Sequence, residues 1–121
     1  MTRILVVDDS PTQMMGVTKI LEKHGIEIIT ADDGVEAISM ASSESPDLIL
    51  MDVVMPNLNG FQATRQITQN ADTKHIPVIM LTSKDQETDK VWAERQGAKD
   101  YITKPPREDE LMSKINALLS A

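Results

Sequence analysis

The chain has 121 residues, enough for one domain around one core and too few for two. Apolar residues make up 40% and charged residues 26%, the balance of a soluble globular protein, and a net charge of −7 argues against nucleic acid as a direct partner, because phosphate binding needs a basic surface. There is no cysteine, which excludes disulfides and thiol chemistry; no apolar run reaches membrane-helix length, so no membrane insertion is expected, and the N-terminus turns acidic too soon for a signal peptide, which makes a cytoplasmic location the expectation.

Arg3 to Val7 is an apolar run rich in β-branched residues and predicts a first strand, ended by Asp8 and Asp9. Ser10-Pro11 starts a helix, since Ser caps well and Pro suits the first helical position. Met14, Val17, Ile20 and Leu21 recur at helical spacing and give that helix a core face, and Gly25 fits the position just past its end. Ile26 to Thr30 predicts a second strand, Asp33-Gly34 a turn, and Val35, Ile38 and Ala41 a second helix that Ser42 to Pro46 closes. Asp47 to Met51 predicts a third strand. It is a short apolar run bounded by turn residues, as buried parallel strands are, and it should lift Asp52 out of the core onto a loop.

Phe61, Thr64, Ile67 and Thr68 predict a third helix after Gly60, followed by a polar connection to His75. Pro77 to Leu81 predicts a fourth strand leading into Thr82, Ser83 and Lys84. A mostly polar fourth helix follows over roughly 86–96, closed by Gly97, with Val91 and Trp92 as its apolar anchors and the least firm packing of the set. Lys99 to Thr103 is the fifth strand, Lys104-Pro105-Pro106 breaks the chain, and Glu108 to Leu119 forms the last helix with Leu111, Ile115 and Leu118 inward. Strands alternating with helices mean a parallel sheet covered on both faces. The expected fold is therefore α/β, a doubly wound five-stranded sheet of order 2-1-3-4-5 in a flavodoxin-like three-layer sandwich, forming one domain over residues 1–121.

In that order the first and third strands are neighbours, and ligands bind at the carboxyl ends of strands where the order reverses. Asp8, Asp9 and Asp52 converge there, with Thr82 and Lys104 delivered to the same edge by the fourth and fifth strands. Taken singly, Asp52 reads as a turn cap, Asp8 and Asp9 as a helix-start pair, Lys104 as a solvated charge, and Thr82 and Tyr101 as packing groups. Their shared edge favours a site. Two like charges about 4 Å apart repel by roughly 4 kcal/mol at an effective dielectric of about 20, so the carboxylates call for a cation. An all-oxygen set with room for water suits Mg²⁺, and His24 and His75 lie too far from the edge to support zinc. A carboxylate nucleophile beside Mg²⁺, with a hydroxyl and an ammonium at hand, is equipped for phosphoryl transfer.

These residues resemble the receiver domain of two-component response regulators, in its single-domain CheY-like form. The resemblance rests on Asp8-Asp9, Asp52 with Met55-Pro56 and Gly60, Thr82-Ser83, Tyr101 and Lys104-Pro105, and it covers essentially the whole chain. It implies that Asp52 accepts the phosphoryl group, with Thr82 and Lys104 contacting the phosphoryl oxygens. It further implies Mg²⁺ held by Asp9, by Asp52, by Asp8 largely through water and by the carbonyl of Val54. Thr82 and Tyr101 would form the switch, and the Lys104–Pro105 peptide bond would be cis. Val54 and Lys84 would border the route of attacking water. The stretches Thr82 to Trp92 and Arg95 to Tyr101 look, more narrowly, like the PilH-type regulators of twitching motility, which serve chemotaxis-like systems.

The resemblance implies a CheA-like histidine kinase as donor, an output protein bound on the surface shared by the fourth helix, fifth strand and fifth helix, a monomer, and no DNA-binding output domain. It also implies a phosphoacceptor that assists its own chemistry rather than a turnover enzyme. A phosphate sink draining a shared kinase is a variant of the same reading. Two other classes remain open: a small Mg²⁺-dependent phosphohydrolase, which needs a cap this length hardly provides, and a flavin carrier, for which the acidic first loop is a poor phosphate cradle.

Overall fold

The computed structural model describes residues 2–53, 55, 58–82 and 87–120. Among these residues ten elements alternate: β1 (Arg3–Val7), α1 (Pro11–Lys23), β2 (Glu27–Ala31), α2 (Gly34–Glu44), β3 (Leu48–Asp52), α3 (Gly60–Gln69), β4 (Val78–Thr82), α4 (Glu87–Arg95), β5 (Asp100–Thr103) and α5 (Glu108–Leu119). The strands form one parallel sheet of order β2-β1-β3-β4-β5, as the alternation requires.

Each central strand is apolar on both faces, and its period of two divides the core. Ile4, Val6, Leu48, Leu50, Ile79, Leu81 and Ile102 face a cluster completed by Val17 and Leu21 of α1 and Leu111 and Ile115 of α5. Leu5, Val7, Ile49, Met51, Val78 and Met80 face the other cluster, with Ala37 and Ala41 of α2, Ala63 and Ile67 of α3 and Ala93 of α4. The α1–α5 layer is also pinned at one end. Glu108 accepts from Lys23 Nζ at 3.2 Å and pairs with His24 Nε2 at 2.9 Å, and these contacts, His24 first, hold its carboxyl below the usual value.

The helix starts follow their caps. Ser10 accepts from the Gln13 amide, and Asn59 and Gln62 form a reciprocal capping box at α3. Asp33 caps α2 by accepting from the Glu36 amide, so Asp33-Gly34 is a helix start rather than a free turn. Gly25, at φ 73°, ends α1 as expected, and the Ile26 amide reaches back to the Leu21 carbonyl.

In α2, Ala41, which the sequence marks, and Ala37, which it does not, seat the helix, while Val35 is 58% exposed. Two packing expectations are corrected. Val91 and Trp92 are 42% and 51% exposed, and α4 is seated by Ala93, whose small side chain brings the helix close to the sheet. Trp92 is therefore not a core packing group.

The start of α3 lies directly on the end of β3. The Gly60 amide donates to the Val53 carbonyl at 2.8 Å, and a Cβ on Gly60 would run into the Asp52 carbonyl oxygen and the Val53 Cα. Gly60→Ala should therefore lower stability by roughly 1–3 kcal/mol, the usual range for overpacking. Gly16 lies inside α1 with nothing within 4 Å of an added Cβ, and Gly16→Ala should stabilise by roughly 0.5–1 kcal/mol. Urea midpoints at unchanged m-value check both signs.

Candidate functional site

Parallel register sets the geometry. Val7 pairs with Met51, so the next positions along each strand direction, Asp8 and Asp52, come side by side where β1 and β3 end. Leu81 pairs with Asp52 and with Ile102, which carries the same level across to β4 and β5. Asp52 is the last residue of β3 and is 7% exposed. It is thus held in the sheet rather than lifted onto a loop, which corrects the expectation; its pairing with Leu81 extends the strand by one residue.

Oxygen atoms of Asp8, Asp9 and Asp52 all lie within 4.8 Å of one another, Asp9 being exposed and the other two buried. This is a group of carboxylates able to hold one cation between them. Lys104 sits against it. Its Nζ donates to Asp8 Oδ2 at 2.6 Å, Gln13 Oε1 at 2.7 Å and Asp52 Oδ1 at 2.8 Å, so all three ammonium donors are used. Asp8 also accepts from the Ser10 amide at 2.9 Å, which fixes its carboxylate beneath the start of α1. Gln13 was not singled out in the sequence. The signal was its place in the first turn of α1, just past the cap, where a side chain reaches back toward the strand end.

Burial pushes the Asp52 carboxyl above its usual value; the Lys104 hydrogen bond and charge oppose this, and the charge of Asp8 adds to it.

Thr82 ends β4 at the same edge, pairs with Thr103 and is 2% exposed. Its carbonyl accepts from the Lys104 amide at 2.6 Å, which sets where Lys104 leaves the sheet. Thr82 alternates with Val78 and Met80, so it belongs to the α2–α3–α4 side, whereas Asp52 follows Leu48 and Leu50 on the α1–α5 side. Tyr101 pairs with Met80, two residues inward from the Thr82–Thr103 pair, and packs half-buried against the same α2–α3–α4 cluster. Asp8, Asp9, Asp52 and Lys104 are therefore in one cluster, while Thr82 and Tyr101 form a column behind it. The Lys104–Pro105 peptide bond is cis, as expected. Val54, Ser83 and Lys84, also singled out above, lie outside the described residues.

The sequence pattern of the response regulator receiver domain matches residues 4–116. The chain belongs to that family. This receiver is 58% identical over 120 residues to protein PilH of Pseudomonas aeruginosa, covering 99% of each chain. Among solved structures it is similar to Vibrio cholerae CheY4, at 31% identity and a TM-score of 0.89 over 98% of each chain. It is also similar to the receiver domain of the Pseudomonas aeruginosa sensor histidine kinase PA1611, at 29% identity and a TM-score of 0.92 over 99% of this chain and 98% of that one. That domain was solved with a magnesium ion coordinated in its active-site cleft. Receiver domains are the phosphoacceptors of two-component systems, working with histidine kinases and output partners. No helix among the described residues is long and apolar enough to cross a membrane.

The raised Asp52 carboxyl carries a sign for stability. A folded state that holds a proton more tightly than the unfolded chain loses stability as pH rises through the folded value. Asp52→Asn removes that loss. In divalent-free buffer the variant should melt higher than wild type at neutral pH, and the gain should fade as pH drops toward the ordinary carboxylate value of 3.8. Thermal melts across pH check it.

Proposed function

We propose that this receiver, a single domain over residues 1–121, is a phosphorylation-controlled module of a chemotaxis-like two-component system, with Asp52 as acceptor and a CheA-like histidine kinase as donor. The observation that carries this is the placement of Asp52. It ends a buried strand among carboxylates suited to a hard cation, with an ammonium 2.8 Å from its Oδ1. An Asp52 oxygen attacks the phosphorus of a phosphohistidine, an O–P bond forms as the P–N bond breaks, and the imidazole leaves with the electron pair and takes up a proton. Asp8, Asp9 and Asp52 would hold Mg²⁺, with Val54 as the family's further ligand. When bound, the ion neutralises charge on the transferring oxygens. Lys104 exchanges carboxylate contacts for phosphoryl ones, and Thr82 turns its hydroxyl toward the new oxygens.

The phosphoryl group adds roughly 1.5 to 2 negative charges at the strand end. Thr82 and Tyr101 share a side of the sheet and adjacent strands, so movement of Thr82 reaches Tyr101 and then the α4–β5–α5 surface, which binds the output protein. The 58% identity with PilH over 120 residues, together with the resemblance seen in residues 82–92 and 95–101, supports a role in type IV pilus twitching motility. The receiver acts there in the cytoplasm and as a monomer.

Intact-mass measurement after treatment with a small phosphodonor and Mg²⁺ tests the core of the proposal. Wild type should gain one phosphoryl group, Asp52→Asn none, and Asp9→Ala should lose labelling together with metal binding. Equal labelling of wild type and Asp52→Asn would sink the assignment. Thr82→Ala should still be labelled, yet show no phosphate-dependent gain in partner affinity. An unchanged gain would remove Thr82 from the route.

A further inference from the structure

We infer that the seam between α3 and α4 is a docking groove for an acidic protein segment carrying an apolar anchor. The chain has a surplus of seven negative charges, yet most of the cations without an ion pair among the described residues are gathered in one place. Five of the described lysines and arginines make no ion pair among the described residues: Lys19, Arg65, Lys74, Arg95 and Lys99. All but Lys19 line two cavities along this seam.

The first cavity, about 470 Å³, is bounded by Phe61 and Arg65 of α3 and by Trp92. The second, about 350 Å³, is bounded by Lys74, Arg95 and Lys99. Gln96 lines both, so they form one track running from the start of α3 toward the amino-terminal end of β4. No carboxylate lines either cavity among the residues whose side chains are described, which leaves out those of residues 87–89.

Helix-end cations alone would give a bland reading, since Arg95 and Lys99 lie near the end of α4, where positive charge is favourable. Two further observations point to a ligand. Trp92 is 51% exposed, and the Arg95 guanidinium stands 5.9 Å from its ring centroid, which presents an apolar plate beside a cation. Gln96 is 8% exposed, and its side-chain amide has no hydrogen-bond partner among the described residues. A buried amide with donor and acceptor both unused fits the main chain of a bound peptide, which offers one of each per residue.

Charge complementarity selects the occupant. The cations attract carboxylates, Trp92 and Phe61 take an apolar side chain, and Gln96 reads backbone. Nucleic acid shares the charge but meets net repulsion from the rest of the chain. The groove is separate from the Asp8–Asp52–Lys104 cluster, so its occupancy does not depend on the phosphorylation proposed above.

Trp92 is the single tryptophan, so its fluorescence reports the groove directly. Titration would use a peptide of repeating glutamate and leucine, the same peptide with glutamine for glutamate, and oligothymidylate. The acidic peptide should change Trp92 emission saturably, and binding should weaken with salt. The double variant Arg65→Glu/Arg95→Glu should bind it about tenfold or more weakly, and Lys19→Glu, an unpaired cation off the seam, should leave affinity unchanged. All these positions are exposed, and a wild-type melting curve confirms each fold. Any of four results overturns the inference: no saturable change with the acidic peptide, equal binding of the glutamine peptide, unchanged affinity in the double variant, or tighter binding of oligothymidylate.

Discussion

Three hydrogen bonds from one ammonium group hold this sheet edge together. Lys104 follows β5, and its contacts to Asp8, Gln13 and Asp52 reach the end of β1, the first turn of α1 and the end of β3. Its side chain is 7% exposed, as buried as the carboxylates it serves. Burying a carboxylate costs several kcal/mol unless charge and hydrogen bonds offset it. Here two buried carboxylates stand side by side because parallel register leaves them no alternative, and one cation offsets both. The arrangement is under-compensated: two negative groups share one positive one, with exposed Asp9 adding a third. That residual deficit is why burial still wins at Asp52, and why the site suits a divalent ion followed by a phosphoryl group. The same ammonium that stabilises the resting edge is the one a new anion would draw away.

Strand periodicity adds the second constraint. The acidic cluster and the Thr82–Tyr101 column belong to opposite sides of the sheet. A chemical event on the α1–α5 side therefore has to be carried to the α2–α3–α4 side at a strand end, and Thr82 is where the chain offers a hydroxyl to do it. The carbonyl of Thr82 already anchors the Lys104 amide, so the two residues are joined through backbone before any anion arrives. Gly60, packed on the Asp52 carbonyl, brings α3 to the same point from below.

Much of this was legible in the sequence because the signals were redundant. Five apolar runs ending in polar groups, separated by helices, leave one economical topology, and register then brings Asp8, Asp52 and Lys104 together without further information. What was misread lay where periodicity is weak. In α4, Val91 and Trp92 looked like anchors because they are its largest apolar residues, but the close approach to the sheet is made by Ala93. In α2, Ala37 is fully buried beside Ala41 and Ile38, yet it was not part of the marked pattern. Small residues at contact points carry little hydrophobicity and hence little signal. Gln13 was missed because a first-turn amide looks solvated until Lys104, just past β5, is placed beside it, a contact spanning 91 residues of sequence.

The balance struck by Lys104 is tested most directly by a double-mutant cycle in divalent-free buffer at neutral pH, using urea unfolding of wild type, Lys104→Met, Asp52→Asn and the double variant. Lys104→Met alone leaves two buried carboxylates uncompensated and should destabilise by about 3–5 kcal/mol. The same change in the Asp52→Asn background should cost clearly less, giving a coupling energy of roughly 1–3 kcal/mol. Effects that add to within about 0.5 kcal/mol would contradict the account, because the ammonium would then not be holding the carboxylates in place.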